Sequence, residues 1–280
     1  MGSMCGICTV KHDPSNPTTT ALTNIFEIKG ELHSKIEHAK KTKSFNIDKM
    51  NYSNLEILEN KEIPNLVLFS AENNRLYSLP TIFFSKQRKL KKLLLANNNF
   101  GEFPANLTNN SNIDKMDLSH NLIKSIPAQS LVNFVSLKEL NLSHNKLVAI
   151  SEDFISLFNL EVLDLSFNHI QLFHSFILQM NKLEYLNLKN NEILVLPKTD
   201  YKFSKLTTLD VSNNGLTEVP PDLFKNSKIS ALNLKNNSIK RSDLYNIEGF
   251  LDFEERRKGR KDQGFLMNLD INFNLCGLDS

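Results

Sequence analysis

The chain has 280 residues, of which 40% are hydrophobic, with 19 Phe, no Trp and a formal net charge of +2. That apolar content is ample for a core, and so small a net charge gives no field that would gather nucleic acid. The three cysteines, Cys5, Cys8 and Cys276, lie at the extremes of the sequence and cannot brace a secreted disulfide scaffold, so a reducing, cytoplasmic setting is expected.

Neither a signal-like start nor a long apolar run is found, which argues against secretion and membrane spanning. Residues 1–30 carry no periodic pattern, and the breakers around Pro14 and Pro17 predict a flexible leader. Its first residues suggest lipidation, with Gly2 as a myristoylation site and Cys5 or Cys8 as palmitoylation sites, although Gly6 stands where that motif calls for Ser or Thr. Cys5, Cys8 and His12 have metal-like spacing but no fourth ligand nearby, so no metal and no cofactor are expected.

Over residues 31–44, Leu32, Ile36 and Ala39 recur at helical spacing while Lys35, Glu37, Lys40 and Lys41 take the other faces. A short amphipathic cap helix is predicted there. Phe45, Ile47, Met50 and Leu55 then suggest a degenerate first turn, closing a 31–55 capping region.

From residue 56 to 240 one pattern repeats: Leu-x-x-Leu-x-Leu-x-x-Asn-x-Leu. Its Asn falls at Asn74, Asn98, Asn121, Asn145, Asn168, Asn191, Asn214 and Asn237, with successive differences of 24, 23, 24, 23, 23, 23 and 23. The template and period are those of a leucine-rich repeat, which predicts an α/β solenoid: a horseshoe of about eight repeats with a parallel concave sheet. In the copy starting at Leu160, Leu163 and Leu165 alternate with Val162 and Asp164 and point inward, while Asn168 is placed to satisfy turn N–H and C=O groups. Phe83, Phe84, Leu107, Leu131, Phe154, Ile177 and Phe224 should fill the core from the convex side. Three or four buried aliphatics per coil contribute roughly 1.5–3 kcal/mol each, too little to order a lone coil, so both ends need covering.

After Asn237 the period fails. Leu244, Ile247, Phe250, Leu251 and Phe253 suggest a capping helix over residues 241–265, with the basic run 256–261 as its solvated end. Residues 266–280 match the template once more, with Asn274 in the ladder position, and read as a degenerate repeat or a tail.

Taken with the repeats, residues 32–45 and 239–250 make the chain resemble the leucine-rich repeat-containing protein 57 family. The resemblance implies a cytoplasmic solenoid without catalytic activity, whose partners in the family are not well defined.

The sequence contains no phosphate loop, nucleophile elbow or zinc-protease motif, so a non-enzymatic interaction module is expected. On the concave face, Val162, Phe167 and Tyr185 are expected as exposed anchors, rimmed by Lys138, Glu139, His144, Asp164 and Lys189. Aromatic anchors inside a polar rim are typical of protein-binding hot spots. Ordinary solvated strands also carry Asp, Asn and occasional aromatics. The expected partner is a protein held by a monomer, with a membrane surface, reached through acylation, as the alternative.

Overall fold

The computed structural model describes residues 17–105, 107, 110–198 and 205–259. Among these residues, nine three-residue strands form one parallel sheet in chain order: β1 (Ser44–Asn46), β2 (Leu68–Ser70), β3 (Lys92–Leu94), β4 (Lys115–Asp117), β5 (Glu139–Asn141), β6 (Val162–Asp164), β7 (Tyr185–Asn187), β8 (Thr208–Asp210) and β9 (Ala231–Asn233). Equivalent template positions pair without slippage, as in Leu140↔Leu163 and Leu163↔Leu186. This is the predicted leucine-rich-repeat horseshoe, with one strand more than the regular repeats supply. The extra strand is β1, where Phe45 and Ile47 take the leucine positions and Met50 the ladder position, so the degenerate first turn joins the sheet.

Each ladder Asn makes the same set of bonds. Asn145 donates from Nδ2 to the carbonyls of Leu142 and Ser143 in its own coil, and to that of Leu118 in the preceding coil at 2.9 Å. Its Oδ1 accepts from the Ile123 amide, again in the preceding coil. Asn74, Asn98, Asn121, Asn168, Asn191, Asn214 and Asn237 all donate across the same joint to the preceding coil. The residue before each ladder Asn lies in the left-handed region, with φ between 52° and 56° from Asn73 through His144 and Phe167 to Asn236.

The convex side is filled as the pattern predicts, with Phe83, Phe84, Leu107, Leu131, Phe154, Ile177 and Phe224 all buried. Both ends close on aromatic clusters: Phe45, Phe69, Phe83 and Phe84 at the first coils, and Phe224, Phe250 and Phe253 at the last.

The capping helix at the start, α1, spans Pro17–Thr42 rather than beginning at residue 31. Pro17 at its first position is a helix-starting residue, so the stretch read as a breaker is an N-terminus instead. Leu32, Ile36 and Ala39 are buried as expected, and α1 packs on β1. Within the coils, α2 (Thr81–Ser85) and α3 (Pro221–Lys225) form short convex turns.

At the far end the single expected helix is two, α4 (Arg241–Leu244) and α5 (Phe250–Lys258), broken at Gly249 with φ 85°. A Cβ there would lie 3.0 Å from the Lys225 backbone nitrogen, so both conformation and space favour glycine. The basic run is not merely a solvated end. Arg256 donates to the carbonyls of Phe224 and Ile229 at 2.7 and 3.2 Å, sealing backbone groups of the last coil, and Arg257 pairs with the buried Glu254.

Removing the amide of Asn145 would strand buried partners in two coils, so Asn145→Ala should cost about 2–4 kcal/mol in denaturant unfolding. Asn237→Ala, at a half-exposed joint, should cost clearly less. Equal losses at the two sites would contradict a cooperative ladder.

Candidate functional site

The outward rows of the sheet form the concave face, and strand register determines which residues become neighbours. Glu139, Val162 and Tyr185 stand in one row, and Asn141, Asp164 and Asn187 in the next. His120, His144 and Phe167 form a third row at the left-handed positions just before the ladder Asn.

That third row is a stack. His120 and His144 lie with ring centroids 4.0 Å apart and 11° between planes, and His144 and Phe167 repeat the geometry at 4.0 Å and 12°. Lys189 Nζ sits 5.7 Å from the Phe167 ring centroid, within cation–π range. Phe167 remains 40% exposed. His120, absent from the expected site, therefore belongs to it. The signal was the spacing of one coil that places it beside His144.

The other expected residues divide. Val162 is half-buried, but Tyr185 is only 5% exposed and is not the open anchor expected from its outward position. Burial, followed by the charges of Asp164 and Asp210, pushes its hydroxyl pKa up, so it stays a neutral phenol.

Asp164 also differs from expectation as a free rim charge. Its Oδ1 accepts from the Ser166 amide and hydroxyl, and its Oδ2 accepts from Asn187 Nδ2 at 3.0 Å. Asp210 makes the equivalent bonds with Ser212 and Asn233. Asp117 likewise holds Ser119, while Asn141 reaches it at 3.4 Å. The Asp/Asn row thus stitches coils together in pairs.

Glu139 pairs with Lys115 at 2.6 Å, and Lys138 with Glu161 at 3.3 Å. All four side chains are at least 40% exposed, so these pairs contribute little to stability.

His144 has its pKa held below the ordinary imidazole value by burial first and by His120 next, with Asp164 acting the other way. Among the described residues no group of His, Cys, Asp and Glu could hold a metal ion, and no helix is long and apolar enough to cross a membrane. Gly2, Cys5 and Cys8 lie outside the described residues.

Because the folded state resists protonating His144, its contribution is complete above pH 6.5 and is lost as pH falls from there through its depressed folded value. Replacing it by Asn, a residue at ease at positive φ, should flatten the loss of stability as pH falls below 6.5. An unchanged pH profile of the melting temperature would contradict this assignment.

Comparison with known proteins agrees with the architecture. The leucine rich repeat family profile matches residues 88–147, 111–170 and 204–250. Bovine osteomodulin is 32% identical over 82 residues, which are 29% of this chain and 18% of osteomodulin. A leucine-rich-repeat protein of Leptospira interrogans shares 27% identity with a TM-score of 0.51, covering 62% of this chain and 50% of its own. Internalin C2 of Listeria monocytogenes shares 26% identity with a TM-score of 0.54, covering 66% and 78%. The chain thus spans a fifth or less of osteomodulin and half of the Leptospira protein. Repeat period, sheet and these likenesses together show a leucine-rich-repeat solenoid fold.

Proposed function

We propose that this chain is a non-enzymatic interaction module that holds a protein partner on its concave face, centred on the ring stack of Phe167 and His144. Val162, Tyr185, Lys138, Glu139, Asp164 and Lys189 stand in the rows around that centre. Leucine-rich-repeat solenoids are typical protein-interaction modules and use extended concave surfaces of this kind. The caps at both ends and the scarcity of cysteine support a cytoplasmic protein related to the leucine-rich repeat-containing protein 57 family.

One observation carries the reading. In the regular coils the left-handed position before the ladder Asn is taken by Asn73, Asn97, His120, His144, Phe167, Asn190, Asn213 and Asn236. Asn and His tolerate positive φ, whereas a bulky Phe held there carries strain of about 1–2 kcal/mol. Phe167 is also 40% exposed, so part of its ring faces solvent at that corner. A strained aromatic open to solvent, stacked and charge-flanked, is what a binding anchor looks like.

Phe167→Asn should leave the melting temperature unchanged or raise it, while removing partners recovered by proximity labelling of the intact protein. Loss of stability would make Phe167 a packing residue, and an unaltered set of labelled partners would move the interface elsewhere.

A second reading rests on the Met1-Gly2 start with Cys5 and Cys8 close behind: a dual acyl anchor that brings the partner to a membrane. One acyl chain holds a protein only weakly at a bilayer, so the cysteines would supply the second attachment. Labelled myristate should enter the wild-type chain and be lost with Gly2→Ala, and the membrane fraction should fall with it. Incorporation that survives the substitution excludes the anchor.

A further inference from the structure

Residues 86–92, Lys86-Gln-Arg-Lys-Leu-Lys-Lys92, place five cations in seven positions. They carry the chain from α2 on the convex side round the edge of the coil into β3, and Lys86, Arg88, Lys89, Lys91 and Lys92 are all exposed. Counted from the first leucine of the template, here Leu90, the same five positions hold at most two cations in every other regular coil, as at Lys225 and Lys228. The concentration belongs to one coil.

Elsewhere the solenoid pairs opposite charges that fall in adjacent coils, as in Lys115 with Glu139 and Lys138 with Glu161. Among the described residues none of the five cations forms an ion pair, and the acids at matching positions of the adjoining coils, Glu62 and Asp114, form none with them. Strand register also sets Lys92 opposite Lys115, and like charges at such a pair are unfavourable. The turn asks only for backbone bonds: Asn110 and Asn112 donate from Nδ2 to the carbonyls of Gln87 and Arg88 at 2.8 and 2.7 Å. Neutral polar side chains would meet that demand without the mutual repulsion.

We propose that this edge is a docking site for an extended, acidic segment of a partner protein, whose carboxylates bind the cations of residues 86–92. The cluster is at most about 20 Å long and one coil, about 4.8 Å, wide. An extended chain follows so narrow a strip, and carboxylates on alternate residues recur about every 6.6 Å along it. A lipid bilayer fits less well, because the strip bends from the convex to the concave side and one plane meets only some of its cations. Nucleic acid fits less well too, since the formal charge of +2 gives no broad field and Glu62 and Asp114 flank the strip. β3 lies three strands, about 14 Å or more, from the coil of Phe167, so the edge is a site apart from the ring stack.

The test uses the full chain and a fluorescein-labelled peptide of alternating Glu and Ser, read by anisotropy. The peptide should bind and weaken as salt rises, and Lys89→Glu with Lys91→Glu and Lys92→Glu should lower its affinity about tenfold or more. Lys146→Glu with Lys182→Glu and Lys228→Glu makes the same change in net charge on other coils and should leave most of the binding intact. The melting temperature of the first variant should stay level or rise; should it fall, Gln at the same three positions carries the test instead. Absence of binding, or equal weakening by the two triple substitutions, overturns the proposal. So does tighter binding to phosphatidylcholine vesicles containing phosphatidylserine, or to oligouridine, that is lost with the same three lysines. Phe167→Asn should leave the peptide affinity unchanged; a matching loss would move the peptide to the ring stack and overturn the edge.

Discussion

The buried amide of the ladder asparagine is the constraint on which the other features depend. Each coil is too small to hold itself together, and the backbone groups at the end of its strand point into a space from which water is excluded. Asn145 meets both needs, since its Nδ2 closes the turn of its own coil and bonds to Leu118 in the coil before, while its Oδ1 takes the Ile123 amide. An aliphatic side chain could fill the volume but would leave carbonyls on both sides of the joint without a donor. Where the ladder lacks its Asn, at Met50, an apolar side chain packs on the core and α1 covers the end. Stacking thus becomes directional, and register follows from it.

Fixed register makes the concave surface a set of rows, most of them committed to holding coils together. Asp and Asn alternate from coil to coil because a carboxylate can accept from Ser on its own strand while its second oxygen accepts from the Asn of the next. Rim charges pair across neighbouring coils in the same way. The ring row is different in kind. Its side chains stack at 4.0 Å, closer than the ~4.8 Å strand spacing, so the rings lean together into one continuous surface.

What could be read from the sequence follows from periodicity. The ladder, the inward leucines and the convex phenylalanines repeat, and repetition supplies its own confirmation at every coil. Features that depend on three-dimensional neighbours were not legible in this way. Tyr185 occupies an outward position by parity, yet parity says nothing about what lies above it. Asp164 reads as a charge on a rim, and only the position of Asn187 in the adjoining coil shows that it is bonded internally. Arg256 sits in a run of like charges, where composition suggests solvation, but the end of the solenoid presents bare carbonyls that draw one of those side chains inward. The start of α1 was missed because Pro17 among threonines has two meanings, breaker or first helical residue, and the local sequence does not choose between them.

A repeat protein carries its own set of comparisons, because each coil shows what a given position needs when it serves the fold alone. At the left-handed corner that need is met by Asn in five coils and by His in two. Phe167 meets it badly. It gains one stacked neighbour and a nearby ammonium group, and leaves much of its ring in water. Asn or His would meet the demands of the turn with less strain than Phe167 does. Among the eight equivalent corners, Phe167 is thus the one where the residue departs from what the turn itself favours.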